Sequence, residues 1–257
     1  MTSITAKALA FRRLHVRGEP IVLYNIWDAG SAAVVARSGA KAIATGSWSV
    51  AAAQGYGDGE EMPLDDVLAV VRRVVRNVNV PVTVDFEGGY AVEPALVTEN
   101  VRRLLQLNVV GLNLEDQVVN GLGLYSVREQ VERLEAVRKA ADDAGVPAFI
   151  NARTDVFLKA EASIDHAALL DEALLREKAY AKAGADGFFV PGLADIVLVR
   201  KLCERASLPI NVMAPDDPVR IREFVKLGVS RISLGPAPFF TMTADLERRA
   251  RAAALAA

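Results

Sequence analysis

Lys182-Ala-Gly-Ala-Asp186, followed at once by Gly187-Phe-Phe-Val190, is the stretch on which the fold turns. An amphipathic helical segment runs into it and a short apolar run leaves it. Glycine between the two suits the left-handed residue that ends a helix, so a helix stops here and a strand begins. The same punctuation recurs at Arg37-Ser-Gly-Ala-Lys41, Gln106-Leu-Asn-Val-Val110, Asp143-Ala-Gly-Val-Pro147 and Lys226-Leu-Gly-Val-Ser230. In the second of these Asn108 takes the place of glycine, which the left-handed conformation also accepts. Two more helices stop before Val80-Pro81 and Leu208-Pro209, where proline ends them.

The strands opened in this way are Ile21–Tyr24, Ala42–Thr45, Val82–Asp85, Gly111–Leu114, Ala148–Asn151, Gly187–Val190, Ile210–Val212 and Arg231–Leu234. Each is followed by a helical segment, the last running from about Thr241 to the C-terminus. Eight strand–helix units in 257 residues predict an α/β fold, a (β/α)₈ TIM barrel over residues 1–257 with an extra leading helix at Ser3–Leu14. A doubly wound open sheet is the alternative, but no Gly-x-Gly-x-x-Gly follows the first strand.

The composition agrees with a cytoplasmic enzyme. It is 52% hydrophobic and 24% charged, with a net charge of −2, so neither nucleic acid nor an anionic membrane is an electrostatic partner. No eighteen-residue apolar run predicts a membrane span, and Met1 to Arg17 holds no apolar signal-peptide core. The lone Cys203 excludes an internal disulfide, and its helical surroundings make it a core residue.

A barrel places its chemistry at the C-terminal ends of its strands. The polar residues there are Asn25 and Asp28 after the first strand, Thr45 and Ser47 after the second, and Asp85 and Glu87 after the third. Glu115 and Asp116 follow the fourth strand, Asn151, Arg153 and Thr154 the fifth, and Asn211 the seventh. Asp85 and Glu87 are two apart, so they face one point if the strand runs that far. The long loop after the second strand, Gln54-Gly-Tyr-Gly-Asp-Gly-Glu60, can bring Asp58 over the same mouth. Asp85, Glu87 and Glu115, joined by Asp58 where the loop folds over, either raise the proton affinity of one acid sharply or take a neutralising cation, and magnesium suits them because it keeps waters and takes few carboxylates directly; manganese is the substitute. Arg153 offers a planar fork for a substrate carboxylate or phosphonate, and backbone amides around Gly46-Ser47-Trp48 complete an anion site. Magnesium beside a carboxylate clamp suits a small 2-oxo acid whose enolate the metal stabilises. Trp27 and Trp48 are placed at the pocket mouth, and pocket size is assigned to Trp48, Phe188 and Phe239.

Other chemistries are set aside. No lysine ends a predicted strand, which disfavours a Schiff-base aldolase. His15 and His166 are the two histidines and neither lies at a strand end, so zinc and a Ser-His-Asp triad both lack their imidazole.

Five motifs at these strand ends resemble the isocitrate lyase and phosphoenolpyruvate mutase superfamily over essentially the whole chain. They are Trp27-Asp28-Ala29, the loop ending Gly-Asp-Gly-Glu60, Val84-Asp-Phe-Glu-Gly-Gly-Tyr90, Asn113-Leu-Glu-Asp116 and Asn151-Ala-Arg-Thr154, in that order. Within it the chain is most similar to the short phosphonomutase-like branch. The resemblance implies a magnesium-dependent barrel that makes or breaks C–C or P–C bonds in 2-oxo acids. Asp85 matches the principal metal ligand, and Asp58, Glu87 and Glu115 match acids that hold the ion's waters. Trp27, Asp28, Gly46, Ser47, Trp48, Arg153 and Asn211 fall among the substrate-binding positions. It also implies a homo-oligomer, a dimer or a tetramer, with the last helix exchanged between subunits.

The chain departs from the superfamily after the fourth strand. Glu115-Asp-Gln-Val-Val-Asn-Gly-Leu-Gly-Leu-Tyr125 lacks the Cys, Lys and His of the lyase gating loop; only Asn120 has a counterpart in the mutase loop. Pro191 stands where some members carry a substrate-contacting histidine or glutamate. The sequence is therefore read as a lyase or decarboxylase of a small 2-oxo or 2-hydroxy acid, with Tyr56, Tyr125 or a metal-bound water as proton donor. A phosphonomutase (an isomerase) and a catalytically silent 2-oxo acid binding protein are the alternatives.

Overall fold

The structure is a computed structural model and describes residues 3–119 and 121–256. In chain order it runs α1 (Ile4–Arg13), β1 (Ile21–Leu23), α2 (Ala29–Arg37), β2 (Ile43–Ala44), α3 (Ser47–Ala53), α4 (Leu64–Asn77), β3 (Val82–Asp85), α5 (Pro94–Leu105) and β4 (Gly111–Glu115). It continues α6 (Val127–Asp143), β5 (Phe149–Arg153), α7 (Leu170–Lys182), β6 (Gly187–Val190), α8 (Ile196–Arg205), β7 (Ile210–Met213), α9 (Pro218–Val225), β8 (Arg231–Ser233) and α10 (Ala237–Leu255). All eight strands are parallel and pair in the order β1-β8-β7-β6-β5-β4-β3-β2. β1 and β2 meet just beyond their ends, where Ile26 bridges Thr45 and closes the barrel.

The helix stops behave as the punctuation predicts. Gly39, Asn108, Gly145, Gly184 and Gly228 all have positive φ, between 65° and 95°. A side chain without a short polar group would be strained there, which is why glycine or asparagine stands at each position. α10 begins four residues earlier than the periodicity suggested. Pro236 caps it and Pro238 lies in its first turn, where a missing N–H costs nothing.

Alternation along the strands separates two layers. Outward residues such as Val82, Val84, Leu112, Leu114 and Ile150 join the apolar faces of the helices in one large core. α4 shows how: Val67, Val70, Val71 and Val74 are buried at helical spacing, while Arg72 and Arg73 lie on the open side. Inside the barrel, Phe11 of α1 packs with Leu23, Ala44, Val110 and Phe149 to form a separate floor. His15, just past α1, stacks on Phe149 with ring centroids 3.8 Å apart.

Above that floor the interior is polar. Arg231 is fully buried and donates to Ser233 Oγ and Asn113 Oδ1, each at 3.3 Å. Burial pulls its guanidinium down to about 10, against the attraction of Asp85. Gly187 leaves room for this packing: a Cβ there would come within 2.8 Å of Asn151 Oδ1 and of the Phe149 ring.

Candidate active site

β3 ends at Asp85, and the acid two residues on does not continue the strand. Glu87 has φ +48°, in the left-handed region, as do Glu60 at +60° and Tyr90 at +57°. These three strained residues hold one another. Glu60 N–H donates to Glu87 Oε2 at 2.7 Å, Tyr90 N–H to Glu60 Oε1 at 2.8 Å, and Tyr90 O–H to Glu87 Oε1 at 2.9 Å. Backbone strain of this kind, of order 1–3 kcal/mol per residue, persists where surrounding structure over-determines it, often at functional sites.

Asp85 is gripped from both sides. Its Oδ2 accepts from Ser47 Oγ at 2.9 Å and Ser47 N–H at 3.3 Å, and its Oδ1 accepts from Asn113 Nδ2 at 3.0 Å. Asn113 Oδ1 in turn accepts from Asn151 Nδ2 at 2.9 Å and from Arg231, so a buried column runs from β8 to the acid. Gly46 N–H is bonded to Ile26 C=O at 3.1 Å. Two of the three amides expected to hold an anion are thus engaged within the protein.

Arg153 lies at the end of β5 among carboxylates. Its Nε and Nη2 bind Asp155 at 2.6 and 2.9 Å, and its Nη1 lies 2.8 Å from Glu115 and 3.9 Å from Asp85. The planar fork expected to grip substrate is therefore spent on Asp155. Burial opposes its charge, but Glu115, Asp155 and Asp85 more than offset that, so the guanidinium stays firmly protonated.

The acids are electrostatically crowded. Burial, then the Asp58 carboxylate, pushes Glu87 up to about 7. Burial also raises Glu115 well above the usual carboxylate range despite Arg153, and Asp155, Asp85 and Glu87 add to the effect. Asp58 is raised by burial and by Asp85. Among the described residues no three acid, cysteine or histidine side chains are close enough to ligate one ion together. The arrangement fits one direct carboxylate with the others further out, the habit of magnesium.

Two cavities meet here and share Ser47, Asp58 and Arg153. The smaller, about 150 Å³, is lined also by Glu87, Glu115 and Lys159. The larger, about 200 Å³, is lined by the polar Asp85 and Asn113 and by the apolar Trp48, Phe189 and Pro191.

Several expected residues lie elsewhere. Tyr56 O–H donates to Asp66 on α4 at 3.2 Å and lines a separate outer cleft. Tyr125 lies under the Arg133 guanidinium, 4.4 Å from its ring centroid. Asp28 caps α2 in a reciprocal pair with Ser31, and Trp27 is buried edge-on against Phe239. Asn211 is buried with Ser233 and does not line either cavity. Phe188 faces the helices against Tyr180 while Phe189 faces the cavity, because Gly187 must point inward and the strand alternates. Asn120 lies outside the described residues.

Other site residues escaped the sequence reading. Asp155 stands two positions beyond Arg153, the spacing that lets an acid fold back on a strand-end arginine. Lys159 lies in the long loop after β5, where no periodic signal places a side chain. Asp116, read as a mouth acid, is buried and bonded to Arg176 at 3.1 Å and Tyr180 at 2.8 Å, fastening β4 to α7.

Residues 11–254 match the family model of phosphoenolpyruvate phosphomutase. The chain is 31% identical over 233 residues to an uncharacterized protein of Mycobacterium tuberculosis, covering 90% of this chain and 83% of that one. It is 30% identical over 217 residues to 2-methylisocitrate lyase of Escherichia coli, covering 81% and 70%. Its structure superposes on a Burkholderia cenocepacia protein provisionally described as a phosphonomutase with TM-score 0.94 and 45% identity, covering 98% and 100%.

Proposed function

The chain belongs to the phosphoenolpyruvate phosphomutase family, within a superfamily of magnesium-dependent lyases and mutases, and from that premise we propose that it cleaves a C–C bond in a small 2-oxo or 2-hydroxy acid. The observation that carries this reading is the crowding of Asp85, Asp58, Glu87 and Glu115 around two adjoining strand-end cavities, with proton affinities raised in the last three. Such a set calls for a divalent cation. Asp85 would hold magnesium directly, and the other three acids would stand around it. When bound, the ion supplies the positive charge that stabilises an enolate oxygen.

The chain's own residues prepare that site. Ser47 and Asn113 fix the direction of both Asp85 oxygens. Arg153 balances Glu115 and Asp85 from the side of β5, and Asp155 keeps its guanidinium from turning away. Glu60 and Tyr90 lock Glu87 toward the acid cluster. Trp48 and Phe189 add apolar surface to the lining of the neighbouring space.

A phosphonomutase is the second reading. It draws on the 45% identical Burkholderia structure and on Lys159, a cation in the acid-lined cavity able to meet a phosphonyl group.

Incubation with magnesium and a panel of 2-oxo and 2-hydroxy acids, with phosphonopyruvate included, separates the readings by ¹H and ³¹P NMR. C–C cleavage products support the first, and interconversion of phosphonopyruvate with phosphoenolpyruvate supports the second. Asp85→Ala should abolish magnesium-dependent oxalate binding; survival of that binding means that the metal assignment is wrong.

A further inference from the structure

We infer that the substrate carries a single carboxylate, and that the group beyond its 2-oxo or 2-hydroxy carbon is a compact hydrocarbon, not a second carboxylate or a phosphonate. This rests on the proposed reading of the site as a 2-oxo or 2-hydroxy acid centre. Beside the polar groups around Asp85, the larger cavity is lined by Trp48, Leu158, Phe189, Pro191, Met213 and Pro236. None of these side chains carries a charge.

Apart from the Trp48 N–H groups, the donors that line the cavity are already partnered. Asn25 Nδ2 donates to Thr45 C=O at 2.9 Å, and its Oδ1 accepts from the N–H groups of Leu234 and Gly235 at 2.9 and 3.0 Å. Asn113 bonds Asp85, Asn151 and Arg231, and Ser233 bonds Asn211 and Arg231. The cavity's one cation among the described residues, Arg153, is engaged by Asp155, Glu115 and Asp85. Lys159 borders the acid-lined cavity and not this one. A second anionic group turned toward the apolar residues would lose water and meet only the uncharged Trp48 N–H groups as open donors, an unfavourable exchange. A hydrocarbon group gains from the same move, about fourfold in affinity for each methylene buried. A cavity of about 200 Å³ equals the liquid volume of roughly seven waters, which suits a branched chain of a few carbons.

The test is magnesium-dependent binding to the intact protein, measured by competition against oxalate. The probes are pyruvate, 3-methyl-2-oxobutanoate and 4-methyl-2-oxopentanoate, compared with oxaloacetate, 2-oxoglutarate and phosphonopyruvate. The branched acids should bind about tenfold or more tighter than pyruvate, and the three dianionic probes more weakly than pyruvate. Leu158 is 43% exposed at the rim, so Leu158→Arg should fold and should shift the preference toward the dianions. Equal affinities, or tighter binding of any dianion by the wild type, overturn the inference alone. Failure of oxalate to bind with magnesium removes the underlying reading, and the inference with it.

Discussion

Glu87 makes magnesium binding pH-dependent by an amount that follows from its surroundings. Its carboxyl is raised from the ordinary 4.5 to about 7 by burial and by Asp58. Near pH 6 about nine-tenths of the metal-free protein therefore holds a proton there, and near pH 8 about one-tenth does. A cation in this cluster favours the ionised form, so binding must expel that proton. The apparent affinity for magnesium should rise about tenfold between pH 6 and 8 from Glu87 alone, equivalent to about 1.4 kcal/mol. Glu115 and Asp58, raised for similar reasons, add in the same direction. Calorimetric titration in two buffers of different ionisation enthalpy reads the proton directly: about 0.9 released near pH 6, falling to about 0.1 near pH 8, from this group. Glu87→Gln keeps a carbonyl acceptor for Glu60 N–H and turns its amide N–H toward the Tyr90 hydroxyl oxygen, and it should remove that share of both the slope and the proton release. A wild-type affinity flat across this range, or a Glu87→Gln variant with an undiminished slope, would refute the reasoning.

Three further outcomes are expected. His15 is pulled down to about 3, by burial first and then by Arg231, so below its unfolded value of 6.5 the unfolded chain takes up a proton that the folded one refuses. Stability is therefore lost as pH falls below 6.5, by about 1.4 kcal/mol per unit from this group, and urea unfolding should find that loss reduced in His15→Phe. Gly187→Ala should destabilise by about 1–3 kcal/mol in the same assay, because the added methyl meets Asn151 and Phe149. Tyr56→Phe and Tyr125→Phe should leave magnesium-dependent oxalate binding unchanged, since neither phenol lines a cavity at the strand ends.

The barrel was legible because its signals are local. A left-handed residue at each of five helix ends, followed by an apolar run, needs no tertiary knowledge to read, and all five positions have positive φ. Asp85, Glu115 and Arg153 were legible for a related reason: a strand end has one place in a barrel. Register was harder. Choosing Phe188 over Phe189 is a one-residue slip that reverses the face, and both residues are equally apolar. Loop residues were hardest. The direction of Tyr56 is set by Asp66 on α4, that of Tyr125 by Arg133 on α6, and that of Arg153 by Asp155. Each depends on contacts that spacing does not encode. Arg231 was missed altogether, because an arginine at the start of a strand ordinarily reads as a surface charge.

The closure between β1 and β2 bears on how such a protein diversifies. Ile26 and Thr45 bridge the two ends of the sheet, Asn25 and Gly46 bond across the same gap, and the next residue, Ser47, holds Asp85. A substitution in this short segment disturbs barrel closure and ligand grip together, so it carries a double penalty. Among the described residues, the turn after β4 and the loop after β5 contain no part of that fastening. New specificities are cheapest to acquire there, where residues can be exchanged while the barrel stays shut.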